Sequence, residues 1–400
     1  MAGAVRRLVA SALVFAAALL SAAPAAAAAE APDPQLQREF VEGARLLHAG
    51  DYAAAAGVFR ALLERTGSPR VRLELARALY HLGEYREARA LFRQVLLDRQ
   101  VPWEVRDNVE AFVRAIDDIE GYVRFSASVV SDTNPRNITS QREFTIGGFR
   151  LEFQPPEDAG RVTGLRYGVQ AYQPLAREAR IGGYVTGSYL DYPGSSLDRL
   201  TLDGGVAKLF GDGGTRVRAG VETGTFGARR LYEFPYVAAG QVLSRSALHR
   251  LEGEVKLGRA NFPRFGFMDA RHASAQLGFT RALSDALAAS LAGAVEDSAA
   301  RERPYSYRGF SLEPGIAWLL PEPALLVRAS FALGQRNYAE PDPLFGIQRR
   351  DRRTRLDVSV RSKAWRFMNL APGVLVSFER TQSSIDFFST RKVNFAIALE

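Results

Sequence analysis

The sequence predicts an N-terminal α-helical repeat array followed by a 14-stranded antiparallel transmembrane β-barrel. Three observations predict it. The chain opens with an apolar, export-type segment. A stretch of helical periodicity then repeats itself at a fixed offset. Beyond about Gly121 the period changes to two and stays there, in short alternating segments punctuated by Gly, Pro, Asn and Asp.

Residues 1–29 have the layout of a signal peptide. Arg6 and Arg7 supply the positive start, Leu8 to Leu20 the apolar run, and a small-residue stretch through Ala29 offers cleavage sites. The apolar run is short for a spanning helix. Export together with a barrel pattern places the chain in a Gram-negative outer membrane. The chain has no Cys, which excludes disulfides, thiol chemistry, Cys-ligated zinc and a lipid-anchored mature N-terminus. Net charge is +8, from 52 basic and 44 acidic residues, with no block of like charge. A mixed surface of this kind argues against nucleic acid as a partner.

Residues 30–120 form the predicted helical domain. Leu73, Ala76, Leu79 and Leu82 fall three apart along one helical face. Ala49 to Ala55 answers Leu82 to Ala88, and Phe59-Arg60 answers Phe92-Arg93 at the same offset of 33 residues. Gly43, Gly50, Tyr52, Ala55 and Phe59 occupy the small and aromatic packing positions of a tetratricopeptide repeat. Pro102 opens a last helix, Trp103 to Ile119, expected to cap the array. By register the concave face carries Gln37, Phe40, Ala44 and His48, then Arg70, Leu73, Arg77, Tyr80 and His81. Gln37, Phe40, His48, Arg70, Arg77, Tyr80 and His81 are therefore the candidate partner-binding residues, suited to an extended or acidic polypeptide.

Residues 121–400 form the predicted barrel. From Arg250, one parity carries Arg250, Glu252, Glu254 and Lys256, and the other Leu251, Val255 and Leu257. Successive strand side chains point to opposite faces, so one face is charged and the other apolar. Arg216 to Thr225 and Arg355 to Lys363 repeat the pattern. Segments of about ten to fourteen residues suit tilted strands crossing a bilayer, with the charged face turned to a lumen. Arg250, Glu252, Glu254 and Lys256 are the candidate lumen charges. Fifteen segments qualify, and an even number is required. Tight turns follow the strands ending near 173, 210, 244, 282, 319 and 367, and short turns belong on the periplasmic side. This register removes the segment 142–153, which becomes part of a first extracellular loop over about 132–160. A second extracellular loop is expected from Asn337 to Asp351.

The capping helix ends in Ile116-Asp117-Asp118-Ile119 and runs into Gly121-Tyr122-Val123-Arg124-Phe125-Ser126-Ala127; Ser131-Asp132-Thr133-Asn134 follows. With these motifs the mature chain resembles the surface lipoprotein assembly modulators, Slam, of Gram-negative bacteria. Asp132 and Asn134 match that family's signature at the end of strand one, and they also favour the turn that closes a strand. The chain is shorter than better-known members and lacks the usual terminal aromatic residue. The resemblance implies a monomer in the outer membrane with its helical domain in the periplasm. There it would help client lipoproteins or secreted binding proteins to the cell surface, in contact with lipids and a periplasmic chaperone.

Two other readings compete. A passive porin or polysaccharide export channel would show aromatic residues along the lumen, whereas the parity read above carries mainly Arg, Glu, Asp and Ser. An enzyme would need converging catalytic groups; His272 and Ser274 share a face on one strand without an orienting acid. No metal-ligand spacing or cofactor motif is present. The chain reads as a non-enzyme without catalytic residues, metal or cofactor.

Overall fold

The computed structural model describes residues 33–98, 101–146, 149–154, 160–194, 196–211, 214–246, 248–365 and 371–399. The signal segment expected at 1–29 lies outside them, as do parts of the turns expected after 210 and 367. Helices are α1 (Pro34–Ala49), α2 (Tyr52–Thr66), α3 (Pro69–Leu82), α4 (Tyr85–Leu97) and α5 (Trp103–Glu120). The chain divides into two compact units, the first ending at Val101 and the second spanning Pro102–Glu400. Helix α5, which the sequence reading gives to the array, is grouped with the strands.

In the first unit each helix packs on the next. Asp33 and Asp51 cap their helices by accepting hydrogen bonds from the N–H groups of Gln35 and Ala54. Gly50, Gly67 and Gly83 end theirs in the left-handed region. Gly43 is required by close approach, since a Cβ there would lie 2.9 Å from the Phe59 ring. Ala55 and Phe59 are fully buried, and so are their repeat partners Ala88 and Phe92. In α3 the buried stripe is Val71, Leu75, Ala76, Ala78 and Leu79. Leu73 is half-buried and Leu82 exposed, a correction to the expected face. The helix is covered by α2 and α4 together, so its buried sector is wider than a single stripe.

In the second unit the strands are β1 (Tyr122–Asp132), β2 (Glu143–Ile146), β3 (Phe149–Glu152), β4 (Val162–Ala176), β5 (Ile181–Asp191) and β6 (Arg199–Phe210). They continue as β7 (Thr215–Phe226), β8 (Arg229–Arg245), β9 (His249–Ala260), β10 (Ala270–Ala282) and β11 (Leu287–Ala300). The last five are β12 (Tyr307–Leu320), β13 (Leu325–Pro341), β14 (Gln348–Ser362), β15 (Pro372–Ser383) and β16 (Thr390–Leu399). β1 and β4–β16 close a 14-stranded barrel in which sequence neighbours pair and β1 meets β16. All pairings are antiparallel. β2 and β3 form a separate hairpin outside the wall, so the first loop carries strand structure without adding to the count. The loop expected from Asn337 to Asp351 is shorter than read: β13 runs on to Pro341 and β14 begins at Gln348, past a register shift after Asn337.

The outer face is apolar. Val185, Val221, Val237, Leu257, Ile316 and Trp318 are all exposed. So large a belt of exposed apolar side chains has no stable place in water and matches a bilayer core. Helix α5 is tied to the barrel by charges, Asp117 to Arg124 at 2.8 Å and Glu120 to Arg177 at 3.0 Å.

Candidate functional site

The lumen is built from the parity opposite that belt. On β5–β9 it carries a wall of tyrosines and acids. Tyr236 donates its hydroxyl hydrogen bond to Asp203 (2.8 Å), and the hydroxyls of Tyr184 and Tyr236 lie 2.7 Å apart. Tyr232 donates to Glu222 at 2.7 Å. The sequence-predicted charges join this wall. Lys256 reaches Glu222 at 3.2 Å and lies over the Tyr236 ring at 3.9 Å, and Glu254 pairs with Arg218 at 2.5 Å. Arg250 and Glu252 pair with each other at 2.7 Å. Arg218, Arg250 and Lys256 each sit within hydrogen-bond reach of a carboxylate, and Asp203 is held by the Tyr236 hydroxyl, so these groups satisfy one another and stiffen the wall.

The tyrosines correct the sequence reading. Tyr232, Phe234 and Tyr236 occupy one parity of β8 and face the lumen. The alternation of β8 shows in its sequence, whereas β7, β9 and β14, whose parity predicts a charged lumen, carry no tyrosine on that face. His272 packs edge-on against Phe234, 5.7 Å between centroids. No hydrogen bond joins it to Ser274 among the described residues, and no metal-holding cluster of His, Asp and Glu occurs among them.

Across the lumen, β11–β15 carry arginines beside acids: Arg336 with Glu296, Arg349 with Asp351, Arg353 with Glu379 and Arg355 with Asp357, all at 2.7–2.8 Å. Between the two walls a cavity of about 580 Å³ is bounded by Arg216, Arg218, Arg250, Glu254, Gln276 and Glu313. Among the described residues Arg216 and Glu313 have no ion-pair partner.

The seam between β1 and β16 differs. Val130, Leu190, Tyr192, Leu197 and Ala396 form a buried apolar cluster, with Val162, Phe226 and Leu375 against it. Val130 lies on the face opposite the exposed Phe125 and Val129, so the cluster is inside the barrel. Tyr192 and Leu197 come from the connection between β5 and β6, which folds inward. Tyr192 is 2 % exposed, and its ring rests where a Cβ on Gly164 would stand 2.7 Å away. Its hydroxyl donates to Asp132 (3.3 Å), and its N–H donates to Asp198 (2.9 Å). Burial and the Asp132 carboxylate push the Tyr192 phenol up to about 12.

Asp132 and Asn134, singled out in the sequence, lie at this seam. Asp132 pairs with Lys392 of β16 at 2.7 Å, with both side chains largely buried. It also accepts the N–H of Asn134 at 2.9 Å. The Asn134 amide donates to the carbonyls of Ile138 (2.9 Å) and Arg391 (3.2 Å). The motif turns the chain and fastens first strand to last.

In the helical unit, Phe40 meets Phe59 edge-on at 5.6 Å and Arg70 lies over Phe40 at 4.6 Å. Tyr80 and His81 touch at 5.4 Å, and His81 stacks on Tyr52 at 4.6 Å. Arg77 pairs with Glu74 of its own helix at 3.0 Å. Gln37 and His48 are exposed and join neither group.

Comparison with known proteins gives two family matches. Residues 46–103 match the tetratricopeptide repeat, and residues 246–400 match the family described as surface lipoprotein assembly modifier. No curated protein matches the chain. Solved structures similar to it include a bacterial polysaccharide outer membrane secretin, 12 % identical over 69 % of this chain and 98 % of that one, TM-score 0.37. Pseudomonas aeruginosa OccK10 (OpdN) is 11 % identical over 70 % and 99 %, TM-score 0.39. The outer membrane channel DcaP of Acinetobacter baumannii is 11 % identical over 70 % and 97 %, TM-score 0.39. Likeness at this level carries no functional argument.

Proposed function

We propose, on the premise that this chain belongs to the surface lipoprotein assembly modifier family and acts in outer-membrane surface lipoprotein assembly, that it delivers client proteins from periplasm to cell surface. The observation that carries the reading is the family match over residues 246–400 behind a tetratricopeptide repeat. The reading is non-enzymatic. The helical domain, in the periplasm, engages the client or its chaperone through Phe40 with Arg70 and through Tyr80 with His81, and Gln37, His48 and Arg77 widen that surface. The barrel supplies the route. A wall of paired charges offers a passing chain many weak contacts and no deep trap, because exposed ion pairs hold little net energy each.

One observation favours a second reading, a saccharide pore: the aromatic run Tyr232, Phe234 and Tyr236 on the lumen face. The test is surface display. A candidate client lipoprotein is co-expressed with the chain in an outer-membrane host, and intact cells are probed by protease shaving. A parallel deletion of residues 35–98 leaves α5 on the barrel. Client outside only with the full chain supports delivery and assigns client handling to the helices. No surface client, with saccharide-blocked conductance in a planar bilayer, moves the chain to the second reading.

A further inference from the structure

We propose that the barrel wall opens at the β1–β16 seam to let acyl chains pass sideways from the lumen into the membrane. The proposal rests on the surface lipoprotein reading above and names the lipid route within it. The problem it answers is physical. A lipidated polypeptide that ends in the outer leaflet has to bring hydrocarbon past a charged lumen, and hydrocarbon gains nothing from Arg, Glu and Asp walls. An apolar path through the wall removes that conflict.

The seam offers such a path. Inside, next to the Asp132–Lys392 pair, Val130 and Ala396 form an apolar lining beneath Tyr192 and Leu197 of the inward connection. Outside, Phe125, Val129 and Ile397 are exposed to the bilayer. Apolar surface therefore lies on both sides of the wall along this line. The side-chain oxygen of Asn394, register partner of Asp132, is buried without a hydrogen-bond partner. A buried unpaired oxygen is a local weakness, because water would satisfy it once the strands part.

What holds the seam closed is a clasp of side chains. Lys392 on β16 pairs with Asp132 on β1, and Asp132 accepts from Tyr192 on the inward connection. Tyr192 and Leu197 fill the space that an acyl chain would take. Withdrawal of that connection exposes the apolar lining and frees Asp132 on the same movement.

The chain has no cysteine, so an engineered pair reports cleanly. Val129 and Ile397 are register partners on the outer face. The full chain carrying Val129→Cys and Ile397→Cys is reconstituted in phospholipid vesicles holding a triacylated cysteinyl hexapeptide labelled with a dithionite-quenchable fluorophore. Heat-shifted gel mobility checks folding. A second pair, Ala275→Cys with Val295→Cys between β10 and β11, controls for cross-linking away from the seam.

The expected result is loss of the dithionite-protected inner-leaflet signal with the reduced seam pair, retention of that signal on oxidation, and its loss again on reduction. The control pair loses the signal in either state, and Tyr192→Ala loses it faster than the unsubstituted chain. Equal rates with the seam oxidised and reduced overturn the proposal, as does retention of the signal in every variant. Client display on cells without lipopeptide movement in vesicles sinks the lateral route alone. Seam-dependent lipopeptide movement without any displayed client sinks the delivery reading instead.

Discussion

The seam wall and the tyrosine–acid wall face each other across one lumen and solve the same problem oppositely. On β6–β9 polar groups satisfy one another: Tyr236 on Asp203, Lys256 on Glu222, Arg218 on Glu254. At the seam, apolar side chains bury one another and a single ion pair, Asp132 with Lys392, is enclosed among them. A half-exposed pair loses one partner cheaply because water takes its place. An enclosed pair does not have that option. The two walls therefore predict unequal responses to the same kind of substitution.

The largest expected effect is Asp132→Ala, which strands Lys392 in a nearly dry site. Removing one partner of a buried pair costs about 3–5 kcal/mol. Glu252→Ala on the opposite wall leaves Arg250, half-exposed, to lumen water, and should cost about 1 kcal/mol or less. Urea midpoints of the reconstituted barrel, read by tryptophan fluorescence, compare the two. Equal losses would erase the distinction between the walls.

A second comparison uses glycines. A Cβ at Gly164, on the seam side, would stand 2.3 Å from the Asp191 carbonyl oxygen, a backbone atom that cannot swing aside. A Cβ at Gly240, beside the lumen cavity, has its nearest neighbour at 3.4 Å. Gly164→Ala is expected to cost about 1–3 kcal/mol by overpacking and Gly240→Ala close to none. The same urea series tests it, and a costly Gly240→Ala would mean that the cavity wall is as tight as the seam.

How much of this was legible in the sequence depended on range. Parity is local, so Arg250, Glu252, Glu254 and Lys256 could be put on one strand face from their spacing alone, and so could the 14 strands once 142–153 was set aside. Gly43 and Phe59 were legible because repeats reuse positions. The inward fold of Tyr192 and Leu197 was not. They flank Pro193-Gly194-Ser195-Ser196, whose composition says turn and says nothing of where the turn goes. Asp132 was read as a turn former, which it is, but its partner Lys392 is 260 residues away and no period connects them. The lumen tyrosines are local too: Tyr232, Phe234 and Tyr236 share one parity of β8, but an aromatic parity looks the same whether it faces lipid or lumen.

The smallest effect isolates one hydrogen bond. Tyr192→Phe keeps the ring in the lumen and removes only the donor to Asp132, a loss of about 0.5–1.5 kcal/mol at neutral pH. Its pH dependence is more telling than its size. An ordinary phenol titrates near 10, and this one is held up to about 12 by burial and by the Asp132 carboxylate. A pKa raised in the folded state contributes stability that is complete below the unfolded value and is lost as pH climbs through the folded one. The advantage of the unsubstituted chain over Tyr192→Phe should therefore stay constant up to about pH 10 and decline toward pH 12. A difference that stays flat to pH 12 would mean that the phenol is open to water and that the clasp does not hold it.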